Sequence, residues 1–321
     1  MNDIDAMNDI YDVVIAGGGA AGLSAALALA RFRRSVLVVD EGSPRNAPAR
    51  HMHNYLGFDG RPPGDLLAAG RAEVAGYGGE VITGTVTAAH VTADRPGFLV
   101  ELAGGQQVRA RRLLVTTGLV DELPDVPGLG ERWGRDVVHC PFCHGWEVRD
   151  QAIGILGTGP MTVHQAMLFR QLSDDVIVFQ HTAPELSAED LARLDGLGIG
   201  LIASEVAGLE ISGDALTGVQ LRSGEVIARQ ALVVAPRFTA RAGALASLGI
   251  EPAPMEIAGH VAGSYVLADP SGATAVPGIW VAGNVTNPMA QVIVAAGAGL
   301  SAAAAIIADI MAEEARLAVP A

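Results

Sequence analysis

The chain has 321 residues with 35 acidic and 21 basic side chains, a formal net charge of −14, and every basic side chain is arginine. Without lysine there can be no Schiff-base amine and no GKS/T phosphate loop, and the acidic balance argues against nucleic acid or an anionic membrane as a partner. Half of the residues are hydrophobic and 17% are charged, so the chain reads as globular, with small molecules or proteins as its partners.

The opening MNDIDAMNDI carries acids and lacks the basic start and apolar run of a secretory signal, which predicts a cytoplasmic location. The MNDI repeat at Met1 and Met7 reads as an alternative start or a tail. Tyr11–Ala16 (YDVVIA) has the pattern of a buried parallel strand. It is followed by GGGAAG, an Ala/Leu-rich segment to Arg33, and the apolar run Ser35–Val39 ending at Asp40. That order is a βαβ unit. A polar, Pro-containing stretch leads to a helix over Gly64–Tyr77. Val81–His90, Gly97–Leu102 and Gln107–Ala110 alternate like antiparallel strands, and Leu113–Thr117 reads as a buried strand.

LPDVPGLG at 123–130 has the composition of a crossover between domains. Beyond it the order strand, glycine turn, helix, strand recurs in Gln151–Leu156, GTGP, Met161–Leu172 and Asp175–Phe179. PRFTARAG, after Ala235, reads as the return crossover. The last third holds the apolar run Gly278–Ala282 and an uncharged helix from near Pro288. No charge occurs between Pro270 and Ala308. The Ala/Gly content there, with Gln291 and Ser301 inside, predicts a buried helix rather than a membrane span.

Gly17, Gly19 and Gly22 fit Gly-x-Gly-x-x-Gly between a strand and a helix. The first glycine permits the turn, the second lets a pyrophosphate approach the backbone, and the third lets helix and strand pack. Asp40, about twenty residues on, is placed to accept hydrogen bonds from ribose hydroxyls. The second turn, Gly157-Thr158-Gly159, has Thr162 where a small residue usually stands, and its strand ends in Gln180-His181-Thr182. It offers neither an acid for NAD nor a neighbouring arginine for the NADP phosphate. Two readings stay open: a scaffold with weak or absent pyridine-nucleotide binding, and a working NAD(P)H site. The predicted fold class is α/β, with two Rossmann-like three-layer nucleotide-binding domains. The second, 120–244, is inserted in the first, 1–119 and 245–321.

Cys140 and Cys143 are the chain's two cysteines, in VHCPFCHGWE. A metal would need four ligands, and His139 and His144, as immediate neighbours of the thiols, close one tetrahedron poorly; no metal is expected. A structural disulfide with a two-residue loop stabilises little and is uncommon in the cytosol. A redox-active pair is the leading reading, because one helical turn puts both sulfurs on the same face.

GGGAAG, TTG at Thr116–Gly118, CPFCHG at Cys140–Gly145 and TAVPGIWVAGN at Thr274–Asn284, followed by Ala290-Gln291-Val292, together resemble the low-molecular-weight thioredoxin reductases and their flavin-dependent relatives. The resemblance runs from Tyr11 to about Ala312. It implies FAD bound by Gly17, Gly19, Ala20, Gly22, Asp40, Arg45, Asn46, Asn54, Val86, Thr117 and Gly118, and by Gly283, Asn284, Gln291 and Val292 from the carboxy-terminal segment. It also implies a homodimer, with the uncharged helix pointing its amino terminus at the flavin. Three departures matter. His144 stands where the reductases carry an acid after the second cysteine, Gln180-His181-Thr182 replaces a basic NADP-reading triplet, and Asn284 replaces an acid. With CPFCHG, these departures resemble the family's dithiol oxidases, which close disulfides in natural products such as holomycin and gliotoxin.

The resemblance then implies that a small-molecule dithiol attacks Cys140, that Cys143 lies nearer the flavin, and that electrons pass to FAD and on to O2, giving H2O2. His144 would shuttle protons, with His139 as a second candidate. An NAD(P)H-dependent thioredoxin or disulfide reductase and a non-enzymatic flavin redox sensor are the alternatives.

Overall fold

A computed structural model describes residues 10–92 and 97–319; the MNDI repeat, apart from its last residue Ile10, lies outside them. Strand Tyr11–Ala16 is central in a seven-stranded sheet. It pairs in parallel with Val36–Asp40 on one side and with Gln107–Val115 on the other, and Glu80–Thr83 extends the sheet in parallel beyond Val36–Asp40. Val13, Val14 and Ile15 are fully buried, as expected of a parallel strand covered on both faces.

The expected strands Gln107–Ala110 and Leu113–Thr117 are one strand, Gln107–Val115. Its first half pairs antiparallel with Phe98–Leu102 and its second half parallel with Ile279–Val281. The expected strand Val81–His90 is two, Glu80–Thr83 and Val86–Val91. The chain turns at Gly84, whose N–H donates to Asp40 O, and the second piece pairs with Phe98–Leu102 instead.

Residues 137–234 build a five-stranded parallel sheet in the order Gly200–Ile202, Val176–Phe179, Ile153–Leu156, Ala231–Val234, Val137–Val138, and a three-stranded antiparallel sheet. The two crossovers meet in a further sheet, where Leu119–Glu122 pairs antiparallel with Arg237–Ala240. The chain is thus an α/β protein with one mixed and one parallel sheet, each containing a strand, glycine turn, helix unit, at Tyr11–Arg31 and Ile153–Phe169.

The helix Val292–Ala318 has the length and apolar composition to cross a membrane. In the fold it packs one face against helix Ala20–Arg31, burying Ala295, Ala302, Ala303, Ile306 and Ile310. A Cβ on Gly299 would meet Ala21 O at 2.0 Å, so this crossing requires glycine. Its last turns carry acids. Arg112, almost fully buried, pairs with Asp309 and Glu313, and Arg111 pairs with Asp12, Glu313 and Glu314. Burial raises the Glu313 pKa, and the two guanidiniums outweigh it and hold the group below the usual carboxylate value. Glu313→Ala is expected to cost about 2 kcal/mol, less than a fully buried pair because Asp309 remains for Arg112. A thermal melt showing no lowered midpoint would contradict this.

Candidate active site

A cavity of about 520 Å³ lies at the carboxyl ends of strands Tyr11–Ala16 and Gln107–Val115, reaching across to the cysteine turn. Two helices begin at its wall: Ala20–Arg31, with Gly19 as its N-cap, and Val292–Ala318, with Gln291 as its N-cap. The unpaired N–H groups and positive dipole ends of both suit a pyrophosphate.

The first glycine turn is shaped by close approach. Gly17 has φ +105°, and a Cβ there would meet Thr116 O at 2.6 Å; a Cβ on Gly22 would meet Gly17 O at 2.0 Å. At Gly19 a Cβ would meet nothing within 4 Å, so the backbone is open on the side where a phosphate would lie. Asp40 accepts from Gly18 N at 3.0 Å and pairs with Arg71, a partner from helix Pro63–Gly76 that no motif had singled out. Gly17, Gly19, Ala20 and Asp40 line the cavity, as do Arg45, Asn46, Val86, Thr117 and Gly118. The carboxy-terminal segment adds Gly283, Asn284, Gln291 and Val292. Gly22 and Asn54 are outside the lining. Gly22 is packed beneath the turn, and the Asn54 side chain donates to Phe142 O.

Arg45 forms a two-pronged pair with Asp121, at 2.7 Å and 2.6 Å, and its guanidinium lies 5.2 Å from the centre of the Phe238 ring. Asp121 and Phe238 come from the two crossover strands, which is why sequence proximity did not flag them. Asn284 Nδ2 donates to Asn287 O, Pro288 O and Ala290 O. It thereby fixes the turn that aims helix Val292–Ala318 at the cavity, a task the acid it replaces could not perform, since a carboxylate has no donor.

Cys140 caps the short helix Pro141–His144, and the two sulfurs are 2.8 Å apart with the Cys143 thiol donating to Cys140. That hydrogen bond lowers the Cys140 pKa to about 7 against the opposing effect of burial, assisted by the Cys143 and Phe142 N–H groups and by Arg45. Cys143 is pushed up by the same hydrogen bond and by burial. The first proton lost by the reduced pair therefore leaves its charge on Cys140. Alkylation of the reduced protein by iodoacetamide is expected to rise through a midpoint near pH 7, below the ordinary thiol value of about 8.5. A single midpoint at the ordinary value would contradict the geometry.

His144 and His139 both line the cavity beside the pair. Burial lowers the pKa of each; Glu147 partly offsets this at His144, and Arg45 adds to it at His139. Both rings are neutral at pH 7. His139 Nδ1 is 3.2 Å from Val234 O, which makes it the donor, and the ring packs edge-on against Phe238. Both His144 ring nitrogens are buried without a hydrogen-bond partner among the described residues, which leaves one lone pair open to a proton.

The second glycine turn is built differently. Thr162 Oγ1 donates to Gly159 O at 2.7 Å across the turn, and His181 Nδ1 accepts from Val206 N at 3.1 Å. The fold does bring an arginine into the electrostatic range of His181, Arg222, from the turn after strand Ala215–Leu221; it is paired with Glu205 at 2.9 Å.

Fold and site together define a two-nucleotide-domain disulfide oxidoreductase, with an FAD-shaped cleft and a dithiol at its edge. The chain belongs to the pyridine nucleotide-disulphide oxidoreductase family, which it matches over residues 11–299. It is 31% identical to thioredoxin reductase tcpT of Claviceps purpurea over 86% of this chain and 87% of that one. It is 30% identical to thioredoxin reductase sirT of Leptosphaeria maculans over 92% and 93%. Among solved structures it is similar to HlmI, with 45% identity, a TM-score of 0.89 and coverage of 97% and 96%. An oxidoreductase from Agrobacterium tumefaciens follows at 35%, 0.87, 94% and 98%. The protein is a thioredoxin reductase-like flavoenzyme, and its cofactor is FAD.

Proposed function

We propose that the protein oxidises a small-molecule dithiol to its disulfide, with the Cys140–Cys143 pair as the relay and O2 as the final acceptor. The observation that carries the reading is the contrast between the two glycine turns. The first opens on the cysteine pair, while at the second His181 and Arg222 are engaged by Val206 and Glu205. The FAD-binding part would comprise 1–119 and 245–321, and the part carrying the pair 120–244. The exposed Ile293, Val294 and Leu300 on the outer face of helix Val292–Ala318 favour a homodimer.

Starting from the oxidised pair, a substrate thiolate attacks Cys140 Sγ, breaking the S–S bond, forming a mixed disulfide and releasing Cys143 as thiolate. The substrate's second thiolate then attacks its own sulfur in the mixed disulfide and expels Cys140, leaving two electrons on the pair. A thiol of lower pKa leaves faster; the Cys143 thiol, donating to Cys140, lowers it for that second step. His144, neutral at the start, takes the proton from the incoming thiol and delivers it to the Cys143 thiolate, which is thereby a thiol for the second step. Bound FAD supplies the two-electron acceptor through which the pair is reoxidised, with O2 reduced to H2O2.

The test is an oxygen-electrode trace of the holoenzyme with dithiothreitol, then with NADPH and an oxidised disulfide. Peroxide formed from the dithiol without pyridine nucleotide is the expected result. NADPH consumption coupled to disulfide reduction would instead place the protein with the reductases, and inertness to both would leave the flavin redox sensor.

A further inference from the structure

The loop joining strand Val36–Asp40 to helix Pro63–Gly76 makes contacts that the proposed chemistry does not use. We infer that this loop is a latch holding the cysteine turn at the flavin cavity, with His53 and Asn54 as its positioning residues. The inference rests on the cavity being the FAD site, and it holds for either direction of electron flow.

The latch is a folded unit. Met52 N donates to Arg61 O and Gly60 N to Met52 O, each at 2.8 Å, and Asn54 N donates to Asp59 Oδ1 at 2.8 Å. Phe58 takes the Tyr55 ring edge-on at 6.1 Å and the Arg61 guanidinium at 5.0 Å. Asn54 has φ +62°, a conformation that asparagine tolerates better than most residues, and this turns its amide outward across the gap.

Three contacts then cross to the segment carrying the pair. Asn54 Nδ2 donates to the carbonyl of Phe142, which lies between the two cysteines. His53 Nε2 comes within 3.2 Å of Glu147 Oε1, an ion pair when the ring is protonated and not a hydrogen bond. Pro48 packs on Gly134 so closely that a Cβ there would meet the Pro48 Cβ at 2.9 Å. The latch therefore grips the cysteine turn at its middle, the residues just after it and the turn that leads into strand Val137–Val138 before it. A pair held this way stays at the flavin, and substrate must come to it, which favours small dithiols over a folded protein partner.

The test uses reduced holoenzyme and two maleimides, N-ethylmaleimide and a polyethylene-glycol maleimide too bulky to enter the cleft. In Asn54→Gly combined with Glu147→Gln, the left-handed backbone is kept and both polar grips are removed. Labelling by the bulky reagent is expected to rise about tenfold, the scale of losing two exposed contacts, with N-ethylmaleimide labelling little changed. Asn54→Asp, which replaces the donor with a carboxylate facing the Phe142 carbonyl, carries the same expectation should the glycine variant fail to fold. Both labels rising together would signal general loosening and overturn the latch, as would an unchanged ratio. Loss of FAD with an unchanged ratio would make Asn54 a cofactor contact and overturn it equally.

Discussion

Cys140→Ser is expected to lower dithiol turnover by on the order of a thousandfold or more, since it removes the atom that forms the mixed disulfide. Serine matches the thiol in shape, so FAD binding should survive the change. Cys143→Ser should be as damaging to turnover but different in the intermediate it leaves. Without its partner thiol, Cys140 cannot enter an oxidised pair and persists as a thiolate; offered the disulfide product, it attacks one sulfur and expels the other as thiolate, giving a mixed disulfide detectable as an added mass. Its alkylation midpoint should also move up, because the Cys143 thiol is the first cause of the low Cys140 pKa. Turnover that survived either substitution would remove the relay from the mechanism.

The second large effect lies in the glycine turn, where two neighbouring glycines are expected to fail for different reasons. In Gly22→Ala the new methyl would lie 2.0 Å from Gly17 O and 2.7 Å from Thr116 Oγ1, both anchored in the central sheet. Relieving this clash costs about 3 kcal/mol or more, so the turn opens and FAD affinity falls by more than about a hundredfold. In Gly19→Ala the methyl meets no protein atom within 4 Å, and the apoprotein should melt like the parent. FAD affinity should still fall, since the methyl projects into the space open for the pyrophosphate. Equal affinity for FAD in the parent and Gly19→Ala would show that the cofactor does not lie against this turn. Calorimetric titration of the apoproteins, beside their melting curves, separates the two cases.

Local chemistry made much of this site legible in the sequence. A strand, a glycine turn and a helix are contiguous, so Gly17, Gly19 and Asp40 could be placed by spacing, and the cysteine pair lies within one helical turn. What escaped depends on residues distant along the chain. Gln107–Val115 reads in the sequence as two strands because Arg111 and Arg112 interrupt its apolar pattern, and the acids that accommodate them come from a helix some two hundred residues later. Val81–His90 was joined because its alternation continues through Gly84, while the hydrogen bond to Asp40 that bends the chain there belongs to another strand. Asn54 was carried to the cofactor by resemblance. The structure gives its amide to Phe142, and the signal available in the sequence, a polar stretch His51–Asn54 before a helix, did not specify that partner. Arg222 near His181 was invisible for the same reason.

The central claim is that electrons enter at the cysteine pair and not at the second glycine turn. Anaerobic stopped-flow mixing tests it most directly, with the oxidised holoenzyme mixed in one syringe pair with dithiothreitol and in another with NADPH, and the flavin absorbance followed. The dithiol is expected to bleach the flavin and NADPH is not, and admitting air should restore the colour with one peroxide formed for each dithiol oxidised. Rapid bleaching by NADPH, with the dithiol inert, would contradict it.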